Sequence, residues 1–114
     1  MDHPMYPVAT REIAKQREEY APEILDTYRA FSKQVFLDGA LPSKTKELIA
    51  LAVAHVTQCP WCIRAHARRA KLKGASEKEI MEAIWVAAEM RAGAAVSHSA
   101  IAIDTLNEDK AGHP

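Results

Sequence analysis

Apolar positions along this chain recur at helical spacing, and no long stretch alternates apolar and polar at period two. Thr10 can cap a short helix running to about Tyr20. Pro22 suits the first turn of a second helix, which sets Ile24, Tyr28, Phe31 and Val35 on one stripe before Asp38-Gly39 ends it. Ser43 can cap a third helix from Lys44 to about Gln58. Its segment ELIALAVAHV is apolar nearly all round, which predicts a central, buried helix. Cys59 precedes Pro60, and a residue before proline is pushed out of the α region. A break therefore falls at Cys59, and a fourth helix starts at Pro60 and ends at Gly74.

Ser76-Glu-Lys-Glu79 has the spacing of a capping box opening a fifth helix, with Ile80, Ile84 and Ala87 facing inward and Trp85 beside them. The Arg91-Ala-Gly93 region predicts a break, and a sixth helix rich in Ala and Ser follows to about Leu106. The tail NEDKAGHP reads as frayed. The pattern is that of an all-α bundle of about six helices.

Composition sharpens this picture. The 114 residues suit a single domain, residues 1–114. Alanine accounts for 21 residues, and only seven are aromatic, so the helices pack closely but each bury little surface. A thin core of this kind gains from association with further copies, which predicts a homo-oligomer. Fifteen basic residues balance fifteen acidic ones, so no general attraction to nucleic acid or acidic membranes is expected. With no apolar run of membrane-spanning length and no secretion-signal pattern at the start, a cytoplasmic location is expected.

Candidate chemistry centres on the only two cysteines, Cys59-Pro60-Trp61-Cys62. Such a pair can form a redox disulfide, bind metal or simply fill space. At the start of a helix, free N–H groups and the helix dipole favour thiolate, the nucleophilic form. His66 lies one turn beyond Cys62 on the same face and exchanges protons near neutral pH. A structural zinc site needs four ligands; Glu47 and His55 would have to complete one. Glu47 itself interrupts an apolar helix, where a carboxylate is costly unless paired. His55 fits a helix end satisfied by carbonyls, and His98 and the basic run Arg64 to Lys73 fit solvated or interface helix faces. Trp61 and Trp85 fit core filling or the wall of an apolar pocket. His3 and His113 carry no assignment.

The segment Glu47–x11–Cys59–Pro–Trp–Cys62–x3–His66, continued by Ala67, Gly74 and Ser76-Glu-Lys-Glu-Ile80, resembles the core of the AhpD-like alkylhydroperoxidase family, within the carboxymuconolactone decarboxylase superfamily, and the resemblance places the domain core in 42–103. The resemblance implies an all-helical trimer, or a hexamer built as a trimer of dimers. It also implies thiol-dependent reduction of small alkyl hydroperoxides or hydrogen peroxide, with no bound cofactor or metal. Cys62 would be the peroxide-attacking thiolate, Cys59 its resolving partner, and Glu47 and His66 a proton relay. A dithiol or lipoyl-type partner would regenerate the thiols. Where the best-studied family motif has histidine beside the second cysteine, this chain has Trp61. Two alternatives stand beside this reading: a carboxymuconolactone decarboxylase-like lyase, and a non-catalytic helical assembly protein with metal-binding or inert cysteines.

Overall fold

A computed structural model describes residues 5–112, so His3 and His113 lie outside the described residues. Five helices form: α1 (Arg11–Tyr20), α2 (Pro22–Val35), α3 (Ser43–Thr57), α4 (Pro60–Leu72) and α5 (Glu77–Lys110). The all-α expectation holds, but the fifth and sixth expected helices are one continuous helix of 34 residues. A glycine inside a helix costs only about 1 kcal/mol relative to alanine. Gly93 sits among alanines that more than support the helix, so its presence interrupts nothing. The expected frayed tail is likewise helical as far as Lys110.

Most of the expected starts and stops are found. The Thr10 hydroxyl accepts the Ile13 N–H at 3.2 Å. Pro22 and Pro60 each open a helix, and both arms of the Ser76–Glu79 capping box are present. Gly74, at φ 95°, follows α4 in the left-handed region, and the Ala75 N–H returns to the Ala70 carbonyl. One cap differs from expectation. Ser43 is not the cap of α3 but its first residue, and its N–H is satisfied at 2.6 Å by the Asp38 carboxylate. Lys46 reaches back to the Leu37 carbonyl at 2.6 Å. Together these bonds fix the loop from α2 into α3, which α2 enters at Val35 rather than at Asp38-Gly39.

The core lies where α3 packs against α4 and α5. Ser43, Glu47, Leu51 and Ala54 are buried along one stripe of α3, as are Ala70 of α4 and Ala87 of α5. The other face of α3 is open: Ile49 and Val53 are each about half exposed, so the helix is central but only half covered. The α2 stripe is open as well, with Ile24, Tyr28 and Phe31 all exposed. The accessible surface is 9385 Å², whereas a compact monomer of this mass exposes about 6,200 Å². The radius of gyration, 20.1 Å, compares with roughly 13 Å for a compact domain of this length. Each of the five helices carries exposed large apolar side chains.

Candidate active site

Chain reversal between α3 and α4 places the two cysteines. Gln58 adopts the left-handed conformation at φ 58°, closing α3, and its own N–H bonds to the Ala54 carbonyl. The Cys59 N–H also reaches Ala54, at 3.1 Å. Cys59 is then extended, as the proline after it requires, and it caps α4. Its Sγ accepts the Cys62 N–H at 3.3 Å. Cys59 and Cys62 are joined as a disulfide with their Cα atoms 5.3 Å apart. Both residues are half-buried, so the bond is within reach of small molecules.

Glu47 and His66 meet although they sit on different helices. Glu47 is on the buried stripe of α3, and His66 lies one turn along α4 from Cys62. The Glu47 Oε2 and His66 Nδ1 atoms are 3.2 Å apart, with the carboxylate side chain only 3% exposed and the imidazole 16%. An ionised carboxylate only accepts hydrogen bonds, so Nδ1 carries the proton. Neutral His66 therefore has its lone pair on Nε2, the nitrogen left to act as base. Phe36, which closes α2, stacks on the imidazole with ring centroids 5.2 Å apart and planes 26° from parallel. One helix thus supplies the imidazole, a second orients it, and the end of a third holds its ring plane.

His66 and Cys62 share the wall of a cavity of about 400 Å³. Its other walls are mostly apolar, from Phe36, Ile49, Val53 and Ala54, with Lys46 also on the lining. Water reaching this space finds few partners, whereas a molecule with a hydrocarbon tail fits its chemistry. A second cavity, of about 530 Å³, lies between the N-terminal segment, α1, α2 and the start of α4, and both cysteines line it.

The remaining candidates lie outside the first cavity. His55 turns Nδ1 to the Leu51 carbonyl at 2.8 Å, within its own helix. No group of three or more His, Cys, Asp or Glu side chains is arranged to hold a metal ion among the described residues. Trp85 and His98 are exposed on α5, away from both cavities. Trp61 donates its indole N–H to the Pro7 carbonyl at 2.8 Å and packs edge-on against Tyr6. Phe36 is the site residue that sequence reasoning missed. Its one available signal was an aromatic just beyond the helical stripe of α2, which says nothing about a histidine 30 positions further on. No helix among the described residues is long and apolar enough to cross a membrane.

Known proteins resemble the chain in both sequence and fold. A protein of Paracoccus denitrificans called uncharacterized protein 4 in cox locus is 61% identical over 83 residues, covering 73% of this chain and 75% of the relative. An uncharacterized protein of Haemophilus influenzae is 42% identical over 90 residues, covering 79% of this chain and 80% of its own. Among solved structures, a protein of Methanobacterium thermoautotrophicum superposes with a TM-score of 0.69 at 35% identity, covering 73% of this chain and 93% of that one. A carboxymuconolactone decarboxylase family protein of Legionella pneumophila gives 0.66 at 32% identity, over 87% and 91% of the two chains. A member of that family from Thermotoga maritima, described as a candidate participant in the antioxidative response, gives 0.54 at 36% identity, over 75% and 91%. The carboxymuconolactone decarboxylase family profile matches residues 22–105, which takes in α2, the Cys-x-x-Cys turn, the Glu47–His66 pair and most of α5; the chain belongs to that family.

Proposed function

We propose that this protein is a thiol-dependent oxidoreductase that reduces small alkyl hydroperoxides or hydrogen peroxide through the Cys59–Cys62 couple, as part of an antioxidative response. The observation that carries this reading is the shared cavity: a redox-capable sulfur and a carboxylate-oriented imidazole border one apolar space. In the reduced protein, His66 Nε2 takes the Cys62 thiol proton. The thiolate attacks the distal oxygen of the hydroperoxide and the O–O bond breaks. His66 returns the proton to the leaving oxygen, giving an alcohol or water. Cys62 is then a sulfenic acid, and the Cys59 thiol condenses with it to form the disulfide and release water. A dithiol or lipoyl-type donor reduces that disulfide by exchange and completes the cycle. Glu47 keeps its proton-free carboxylate on Nδ1 throughout, which holds the tautomer and stabilises the imidazolium.

The working unit in this proposal is a homo-oligomer, with a trimer or hexamer the expected assembly. About 3,000 Å² of surface beyond that of a compact monomer is left open, whereas a standard interface takes roughly 800 Å² from each partner. The exposed stripe of α2 and the exposed Val96, Ile101 and Ile103 of α5 are the faces offered.

The decisive experiment follows hydroperoxide consumption with a dithiol reductant. Cys62→Ser is expected to abolish turnover, and Cys59→Ser, given hydroperoxide with the reductant left out, to consume one equivalent and hold a sulfenic acid on Cys62. Equal activity in wild type and both variants overturns the proposal. Lactone decarboxylation that survives loss of both thiols would instead identify a lyase, a reaction that needs proton transfer but no thiol pair.

A further inference from the structure

We infer that the Cys59–Cys62 disulfide is reduced from the second cavity, by a dithiol bearing a carboxylate that attacks Cys59 Sγ and releases Cys62 as the thiolate. The inference rests on the redox reading above and adds where the reductant binds, which sulfur it meets and which charge it carries.

The two cavities flanking the sulfurs differ in lining. Cys62 borders both, His66 only the first, and Cys59 only the second. The peroxide-side cavity thus offers the attacking cysteine and its base, while the resolving cysteine is presented elsewhere. A thiol that attacked Cys62, from either cavity, would leave Cys62 blocked as the mixed disulfide. Attack on Cys59 frees Cys62 at once, beside His66.

The second cavity suits a particular visitor. Leu25, Tyr28 and Trp61 give it apolar walls, and Arg17 and Arg29 give it positive charge. Arg17 has no ion-pair partner among the described residues. Arg29 is 3.7 Å from Glu18, and both side chains are half exposed, so that contact is long and readily exchanged. A short hydrocarbon chain ending in a carboxylate matches this lining, with guanidinium groups the natural carboxylate partners. Trp61 also acquires a purpose here. Its indole bond to Pro7 and its contact with Tyr6 hold the N-terminal segment against α4, and Pro7 is itself part of the cavity wall.

The exchange balances. A thiolate of the donor attacks Cys59 Sγ, the S–S bond breaks, and Cys62 leaves with the electron pair as a thiolate. The donor's second thiolate then attacks its own sulfur in the mixed disulfide. Its cyclic disulfide forms and Cys59 leaves as a thiolate, stabilised by the Cys62 N–H that its sulfur already accepts. Two electrons pass to the protein, and two protons complete the thiols.

The test needs no hydroperoxide. Oxidised protein is reduced with dihydrolipoate or with the neutral dihydrolipoamide, and disulfide loss is timed. Wild type is expected to prefer the anionic donor by roughly three- to tenfold, the size expected of two solvent-exposed charge contacts. That preference should vanish in Arg17→Gln/Arg29→Gln and shrink with added salt, which needs no variant to fold. Acid quenching, alkylation and peptide mass analysis should place the donor adduct on Cys59 and the alkyl label on Cys62. An adduct on Cys62, or equal rates for the two donors, overturns the inference while leaving the peroxidase reading intact. Brisk exchange at Cys59 without peroxide turnover would sink that reading and leave this one standing. A disulfide that neither donor reduces overturns both.

Discussion

Glu47 and His66 lie 19 positions apart in sequence and 3.2 Å apart in space, almost wholly out of water. The carboxylate sits on a stripe otherwise made of Ser43, Leu51 and Ala54. A buried charge on such a stripe is tolerable only with a partner, and the partner is the imidazole. Removing one member should therefore cost stability as well as activity. His66→Ala, which strands the carboxylate, is expected to destabilise the fold by about 1–3 kcal/mol. Adding Glu47→Gln should recover part of that loss, which a double-mutant cycle in thermal or denaturant unfolding reads directly. An additive cycle would mean that the two groups are not coupled.

In the proposed mechanism the same pair handles the proton. Glu47→Gln keeps the shape but replaces an acceptor-only carboxylate with an amide that can also donate, so the tautomer of His66 is no longer enforced. Peroxide turnover is expected to fall roughly 10²- to 10⁴-fold, the usual worth of positioned acid–base catalysis. Disulfide reduction by a small dithiol, which does not need His66, should change far less. Equal losses in the two half-reactions would place the role of Glu47 in folding rather than in proton handling.

Phe36 gives a milder test of the same geometry. Its ring stacks on the imidazole and also lines the cavity. Phe36→Leu keeps the apolar wall but removes the stack, and aromatic pairs of this kind contribute about 0.5–1.5 kcal/mol beyond their buried area. A two- to twelvefold fall in kcat/KM for hydroperoxide is expected, carried by kcat. A change confined to KM would assign Phe36 to substrate binding alone.

The sequence shows the chemistry of this site more readily than its geometry. Cys59, Pro60, Cys62 and His66 belong to one helix start, so local rules place them: proline fixes the helix start, and one turn separates thiol from imidazole. Glu47 stands out in the sequence because a carboxylate interrupts an apolar run, although its meeting with His66 depends on how α3 crosses α4. Phe36 has no such signal. Gly93 misleads for the opposite reason: the local rule that glycine interrupts a helix carries too little energy to decide here. One glycine costs less than the surrounding alanines supply. The exposed stripes of α2 and α5 were legible as apolar but not as uncovered, because periodicity marks a face without saying what covers it.

Those uncovered faces make the proposed oligomer testable. Phe31 is 65% exposed on α2 and Ile101 66% on α5. Phe31→Glu or Ile101→Glu costs little in a monomer, where each side chain already meets water. At a buried interface the same change introduces an unpaired charge. Sedimentation should show the assembly shifting to smaller species, with a lower melting temperature that now depends on protein concentration. Unchanged mass and stability in both variants would show that these faces lie free in solution.

Glu79 links the start of α5 to α3, and its charge is worth most where it is ionised. Its carboxyl is held below the usual range, first by the hydrogen bond from Lys44 at 2.8 Å, then by the Ser76 backbone N–H at 2.9 Å. A carboxyl with a lowered folded pKa binds fewer protons in the native state, so its contribution is fully present above the unfolded value and is lost as pH falls through the folded one. The midpoint of unfolding should therefore drop between neutral pH and pH 3 by a smaller amount in Glu79→Gln than in wild type. The two proteins should converge at the acid end, where Glu79 is protonated in both states. Because the site is open to solvent, high salt should remove the share owed to Lys44 and leave the cap with Ser76. Parallel pH profiles would show that the carboxylate does no more here than a neutral amide.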